Sequence, residues 1–181
     1  SGGVQELYSG VASNTTIVSG GTVVLEGVFG GHGAASNTVV ESGGVLLVQI
    51  ARVASDTTIE SGGIVRLSGT GARLAGTTTV SSGGLIEVDA GAKFQVSSGA
   101  SIPGVTALAG GELDVQSGGT ATGALLLSGG YEAVYSGGTD SGATVSSGGL
   151  QDLQGVVTSA TVLSGGMQHV YAGGLASGTV L

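Results

Sequence analysis

Cysteine is absent from this 181-residue chain. Its absence removes disulfides, thiolate metal sites and thiol catalysis together. Tryptophan is also absent, and proline occurs once, at Pro103. With one proline, the 39 glycines cannot be a collagen-like repeat. Positive charge is scarce. Arg52, Arg66, Arg73 and Lys93 are the only basic residues apart from two histidines, against twelve acidic ones, and the net charge is −8. That balance excludes nucleic acid and anionic membranes as natural partners. No run of 18 apolar residues occurs, so no helical membrane span is encoded. A helical domain is disfavoured as well, because interior glycine costs a helix about 1 kcal/mol per site.

What is present is aliphatic and periodic. Leu, Ile, Val and Phe supply 49 of the 181 residues, too many for a disordered chain. Glycine pairs recur, with their second Gly at Gly3, Gly21, Gly44, Gly63, Gly84, Gly111, Gly130, Gly149 and Gly166. The spacings are 18, 23, 19, 21, 27, 19, 19 and 17 residues. The fourth residue after each of these glycines is always Leu or Val: Leu7, Leu25, Val48, Leu67, Val88, Val115, Val134, Leu153 and Val170. The second is mostly apolar or Gln, and the third and fifth are mostly polar or aromatic. This period of two marks a strand with one buried face. Ahead of each following pair, a second series is aliphatic: Ile17, Val40, Ile59, Val80, Ala107, Leu126, Val145 and Val162. It is preceded by Thr in six of eight units, including Thr16, Thr58, Thr79, Thr144 and Thr161. One unit cannot bury its apolar face alone, but stacked units can, at ~4.8 Å per layer.

The pattern therefore predicts an all-β fold: a parallel β-helix, or solenoid, of about nine coils with roughly 19 residues each. The handedness of parallel crossovers makes it right-handed. Residues 1–181 read as a single repeat segment, with extended coils near 28–36 and 90–106. The chain begins and ends in mid-pattern, so it reads as a piece of a longer protein. It opens without the features of a signal peptide.

Outward positions supply the candidate sites. The third residue after the glycine gives Glu6, Glu87, Asp114 and Asp152; the fifth gives Tyr8, Glu26, Asp89, Tyr135 and Tyr171. A stacked row of like charges repels itself, and a partner or ions would relieve it. Tyrosine anchors interfaces well, and Tyr131, Tyr135 and Tyr171 fall in neighbouring coils. The threonine series, with Asn14, Asn37 and Asp56 before it, is a second face on which many weak contacts could add up. Each face has a plainer reading: a solvated acidic surface, and threonine that stacks well in β-coils. Glu132 stands at a second position where others carry apolar residues or Gln: an inward side chain there would be strained or have a raised pKa, and the favoured reading is that it sits near a rod end or finds a partner. His32 and His169 are far apart and suggest no metal site, and no cofactor is implied. Asp89 and Asp114 are the one carboxylate pair that could suggest a β-helical lyase or hydrolase. The sequon at Asn14 reads as chance.

The units "GGVQELYSGVASNTTIVSGG", "GGELDVQSGGTATGALLLSGG" and "GGMQHVYAGGLASGTVL" resemble the passenger repeats of AIDA-type self-associating autotransporter adhesins. Gln5, Gln151 and Gln168 match the family's glutamine; Val23, Leu46, Val65, Ile86 and Leu113 replace it in the middle of the chain. The resemblance implies a β-helical passenger on a bacterial cell surface, exported by type V secretion, and no catalysis. It implies cell aggregation and biofilm formation through homotypic pairing, with adhesion to a host-cell receptor or glycan. It also implies O-linked heptose added by a heptosyltransferase, for which Ser19, Ser42, Ser61 and Ser82 are candidates. The alternative is a passive stalk displaying another domain and serving as a glycosylation acceptor.

Overall fold

The computed structural model describes residues 2–27 and 33–181. Residues 28–32, with Phe29 and His32 and most of the extended coil expected near 28–36, lie outside the described residues. Among the described residues every regular element is a strand, and the strands stack in parallel as a β-solenoid of about nine turns. The chain forms two compact units, one ending at Glu87 and one beginning at Val88.

In the first unit the strands are β1 (Val4–Leu7), β2 (Val11–Ser13), β3 (Thr16–Ile17), β4 (Thr22–Leu25), β5 (Ala34–Val40), β6 (Val45–Val48), β7 (Val53–Ile59), β8 (Ile64–Leu67), β9 (Arg73–Val80) and β10 (Leu85–Val88). The strands after the glycine pairs make one sheet, in the order β1-β4-β6-β8-β10. The threonine-series strands make a second, β2-β5-β7-β9, with β3 also paired to β5. Register is in phase, Leu7 to Leu25 to Val48 to Leu67, so like sits on like along the interior. The long strands of the second sheet bend once, at Asn14, Asn37, Asp56 and Gly76, all with positive φ. Asparagine and aspartate tolerate that conformation better than other side chains. At β9 one extra residue enters, so Asp56 lies opposite both Gly76 and Thr77. This bulge and a turn one residue longer account for the 21-residue spacing.

The second unit holds β11 (Lys93–Val96), β12 (Ser101–Pro103), β13 (Val105–Ala107), β14 (Glu112–Val115), β15 (Thr120–Thr122), β16 (Leu125–Leu126), β17 (Tyr131–Val134), β18 (Thr139–Ser141), β19 (Thr144–Val145), β20 (Leu150–Leu153), β21 (Val156–Thr158), β22 (Thr161–Val162), β23 (Met167–Val170) and β24 (Leu175–Ser177). Here each coil has three sides, forming the sheets β11-β14-β17-β20-β23, β12-β15-β18-β21-β24 and β13-β16-β19-β22. The sequence signals only two strands per coil. The third was hidden because β15, β18 and their relatives are three residues long and alternate only once. Residues 90–106 contain β11 and β12 and the start of β13, and β11 and β12 pair in register with β14 and β15 of the next coil. The 27-residue spacing is thus one strand and one corner more than a coil. The 17-residue spacing arises where Gln154 and Gly155 replace a four-residue corner.

The cores are aliphatic ladders. In the second unit Ala107, Leu126, Val145 and Val162 stack in one cluster, and Val115, Val134 and Leu153 in another row. Burying a Leu or Val side chain contributes roughly 1.5–3 kcal/mol. The corners are closed by backbone: Gly20 N donates to Gly43 O, Gly43 N to Gly62 O, and Gly62 N to Gly83 O, at 2.8–2.9 Å.

Candidate interaction faces

Strand alternation sends the first and third residues after each glycine outward. On the first unit the first-residue row runs Val4, Thr22, Val45, Ile64, and the third-residue row Glu6, Val24, Leu47, Arg66. The apolar first row was not among the expected sites. The expected column of like charge does not form. Glu6 has Val24 beside it, and Glu87 pairs with Arg66 through the guanidinium Nε at 2.6 Å. Tyr8, half exposed, donates its hydroxyl to Glu6 Oε2 at 2.7 Å, which holds the phenol above its ordinary pKa.

On the second unit the outer face of β11-β14-β17-β20-β23 carries the densest polar cluster. Its two rows are Lys93, Glu112, Tyr131, Leu150, Met167 and Gln95, Asp114, Ala133, Asp152, His169. Lys93 Nζ lies 2.7 Å from Glu112 Oε1 and 3.2 Å from Asp114 Oδ2, and the Glu112 contact is the main reason the ammonium's pKa is raised. Asp114 was expected to be exposed, but it is 2 % accessible. The lysine and its neighbours cover it. Asp152 is the hub further along: it accepts from Tyr131 at 3.0 Å and from Tyr171 at 3.4 Å, and His169 Nδ1 lies 3.0 Å away. Burial, then the Asp152 hydrogen bond, pushes the Tyr131 phenol up; burial, then the Asp114 charge, does the same to Tyr135. Tyr135 and Tyr171 remain exposed beside this network.

Threonine rows form within each unit. Thr16 pairs with Val39, Val39 with Thr58, and Thr58 with Thr79; in the other unit Thr144 pairs with Thr161. A shallow groove of ≈ 270 Å³ runs beside the first row, lined by Asn37, Thr38, Val39, Asp56, Thr58, Thr77 and Thr79. Ser19, Ser42, Ser61 and Ser82 are exposed at one corner of the first unit. Ser19, Ser42 and Ser61 each lie over the glycine of the next coil, at Gly43, Gly62 and Gly83, where a Cβ would come within 2.7–2.9 Å of the hydroxyl. In the second unit Ser98 and Ser117 repeat the arrangement on one corner, Ser128 and Ser147 on another.

The interior of the second unit holds a buried acidic patch. Glu132, Asp140 and Gln151 have no exposed surface. Gln151 Nε2 donates to Glu132 Oε2 at 2.7 Å and to Asp140 Oδ2 at 3.1 Å. Glu132 points inward, where Gln151 is its partner and burial is the leading cause that raises its pKa. Asp140 was missed because its strand follows a glycine pair, Gly137–Gly138, that lies off the main series. Asp89 bonds its own corner, Oδ1 accepting from Ala90 N at 2.7 Å. Among the described residues no three His, Asp or Glu side chains come together in a way that could hold a metal ion.

Fold and faces define the class: a repetitive parallel β-solenoid whose polar groups lie along outer rows and corners. No family model and no curated protein matches the sequence. Among solved structures it is similar to the TibC-catalysed, hyper-glycosylated fragment of TibA spanning residues 55–350. The identity is 30%, over 98% of this chain and 81% of that one, with a TM-score of 0.56. The chain belongs to the same family as that TibA fragment.

Proposed function

We propose that this chain is a passenger segment of an AIDA-type self-associating adhesin, exported by type V secretion to the bacterial cell surface, where it pairs with copies on neighbouring cells. The observation that carries this reading is the kinship with TibA along nearly the whole chain. The outer face around Asp152 supports it, because exposed Tyr135 and Tyr171 flank a fixed array of carboxylate, phenol and imidazole. Such a face suits many repeated, individually weak contacts with a second copy or a host glycan. The work it does is recognition, not catalysis. Sedimentation velocity over a wide concentration range tests it. Association is expected to grow with concentration and to weaken at high salt as screening shortens the reach of the carboxylates. A monomer at every concentration would remove self-association and leave the stalk.

The corner serines favour a second, compatible role as acceptors for a glycosyltransferase of the TibC kind. Ser19, Ser42, Ser61 and Ser82 are exposed hydroxyls on successive coils, and at Ser19, Ser42 and Ser61 the glycine of the next coil makes room for the hydroxyl. Intact mass after coexpression with a heptosyltransferase is expected to rise in heptose-sized steps. Replacing the four serines by alanine is expected to remove four of those steps.

A further inference from the structure

We infer that Glu132 and Asp140 bind one proton between them, so that the interior of the second unit is a proton site whose occupancy sets how firmly that unit is held. The two carboxyl groups come from successive strands, β17 and β18, and neither has exposed surface. One nitrogen serves both, the Gln151 amide, at 2.7 and 3.1 Å. Their other oxygens, Glu132 Oε1 and Asp140 Oδ1, are buried with no hydrogen-bond partner among the described residues. The residues paired with Glu132 are Leu113 and Gln151 and those paired with Asp140 are Ala121 and Val157, none of them titratable; the buried Asp114 of β14 stands in the outer row, held by Lys93. Among the described residues Asp140 is therefore the only titratable group facing Glu132, and Glu132 the only one facing Asp140. Lys93 is bound on the outer face. Two buried negative charges served only by the neutral Gln151 amide and the Ser141 backbone would stand uncompensated. One proton removes a charge and turns an acceptor into a donor.

A metal ion fits the same place poorly. The group aimed at the carboxyls is an N–H, not an oxygen. The amide oxygen of Gln151 is taken by Gln168 Nε2 at 2.8 Å, and the Gln168 oxygen accepts from Thr179 at 3.3 Å. Calcium asks for six to eight oxygen ligands, about twice the carboxyl oxygens available here.

Burial raises the Glu132 pKa well above the ordinary carboxylate value, the Asp140 charge adds to this, and the Gln151 hydrogen bond opposes it. Burial pushes Asp140 up to about 6, opposed by hydrogen bonds from the Ser141 backbone and Gln151. Both folded values lie above the unfolded ones, so folding favours the protonated pair. The stability this lends is complete below the ordinary carboxylate range. It is lost as pH rises through about 6 for Asp140 and higher for Glu132.

The test uses the full chain. Calorimetric unfolding near pH 6, in buffers of different ionisation heat, is expected to show protons released on unfolding and a midpoint that falls as pH rises. Infrared spectra at neutral pH are expected to show a protonated-carboxyl C=O stretch. Glu132→Gln and the double variant Glu132→Gln/Asp140→Asn keep volume; the first is expected to lose that band, and the second to lose the band and most of the pH slope. No band and no proton release in the wild type would overturn the inference, and that measurement stands even if the variants do not fold. Added calcium that raises the wild-type midpoint but not that of the double variant would also overturn it, in favour of a cation.

Discussion

Two glycines with similar duties carry different loads. At Gly63 a Cβ would lie 2.3 Å from Val40 O, a backbone atom of the coil next door. That neighbour is fixed by its own ladder, so Gly63→Ala is expected to destabilise by about 1–3 kcal/mol through overpacking, read as a drop in thermal midpoint. Gly123 has φ +65 and nothing within 4 Å of its would-be Cβ. Only the backbone conformation constrains it. Asn14, Asn37 and Asp56 make the same kind of bend in the first unit, so Gly123→Asn is expected to cost less than about 1 kcal/mol. Gly123→Val is expected to cost roughly 1–2 kcal/mol, the penalty for a branched side chain held left-handed. The pair of substitutions, compared by denaturant titration, separates clearance from conformation.

Strands are where ion pairing divides into strong and weak cases. Lys93 on β11 compensates Asp114 on β14, whose side chain is nearly inaccessible. Lys93→Met leaves that carboxylate with a 3.4 Å contact from Gln95 and a buried, unpartnered Oδ1. The expected loss is about 1–3 kcal/mol, with faster amide exchange along β14. Arg66→Met is the control. Arg66 is largely exposed and Glu87 retains solvent, so the expected loss is at most about 1 kcal/mol. At this scale the sequence was legible where alternation ran for four residues, as at Ile64–Leu67, and poorly legible where it ran for two or three. The serine-glycine corner at Ser117–Gly119 looks like the one at Ser128–Gly130, yet they turn different sides of the coil. Sequence spacing alone gave no means of telling them apart. The outer faces were legible only in part, because whether an outward carboxylate is covered depends on what stacks above it, as at Asp114.

For the whole molecule, the deciding quantity is association. If the face around Asp152 pairs with a second copy, Tyr135→Ala and Tyr171→Ala are each expected to weaken self-association roughly tenfold, as interface anchors do. Sedimentation equilibrium on the single and double variants checks this. Unchanged affinity in the double variant would move the contact to the threonine rows, where Thr58→Ala and Thr79→Ala are the next substitutions. The fold itself should not register these changes, because all four side chains point away from the core.

The inward rows answer to packing and the corners to backbone geometry, but many outward residues, such as Val4, Glu6, Arg66 and Met167, answer mainly to solvent. A chain laid out in this way separates what it must keep from what it can rewrite. Its exterior can change one layer at a time, while each new face is still presented at the same ~4.8 Å layer spacing as the one it replaces.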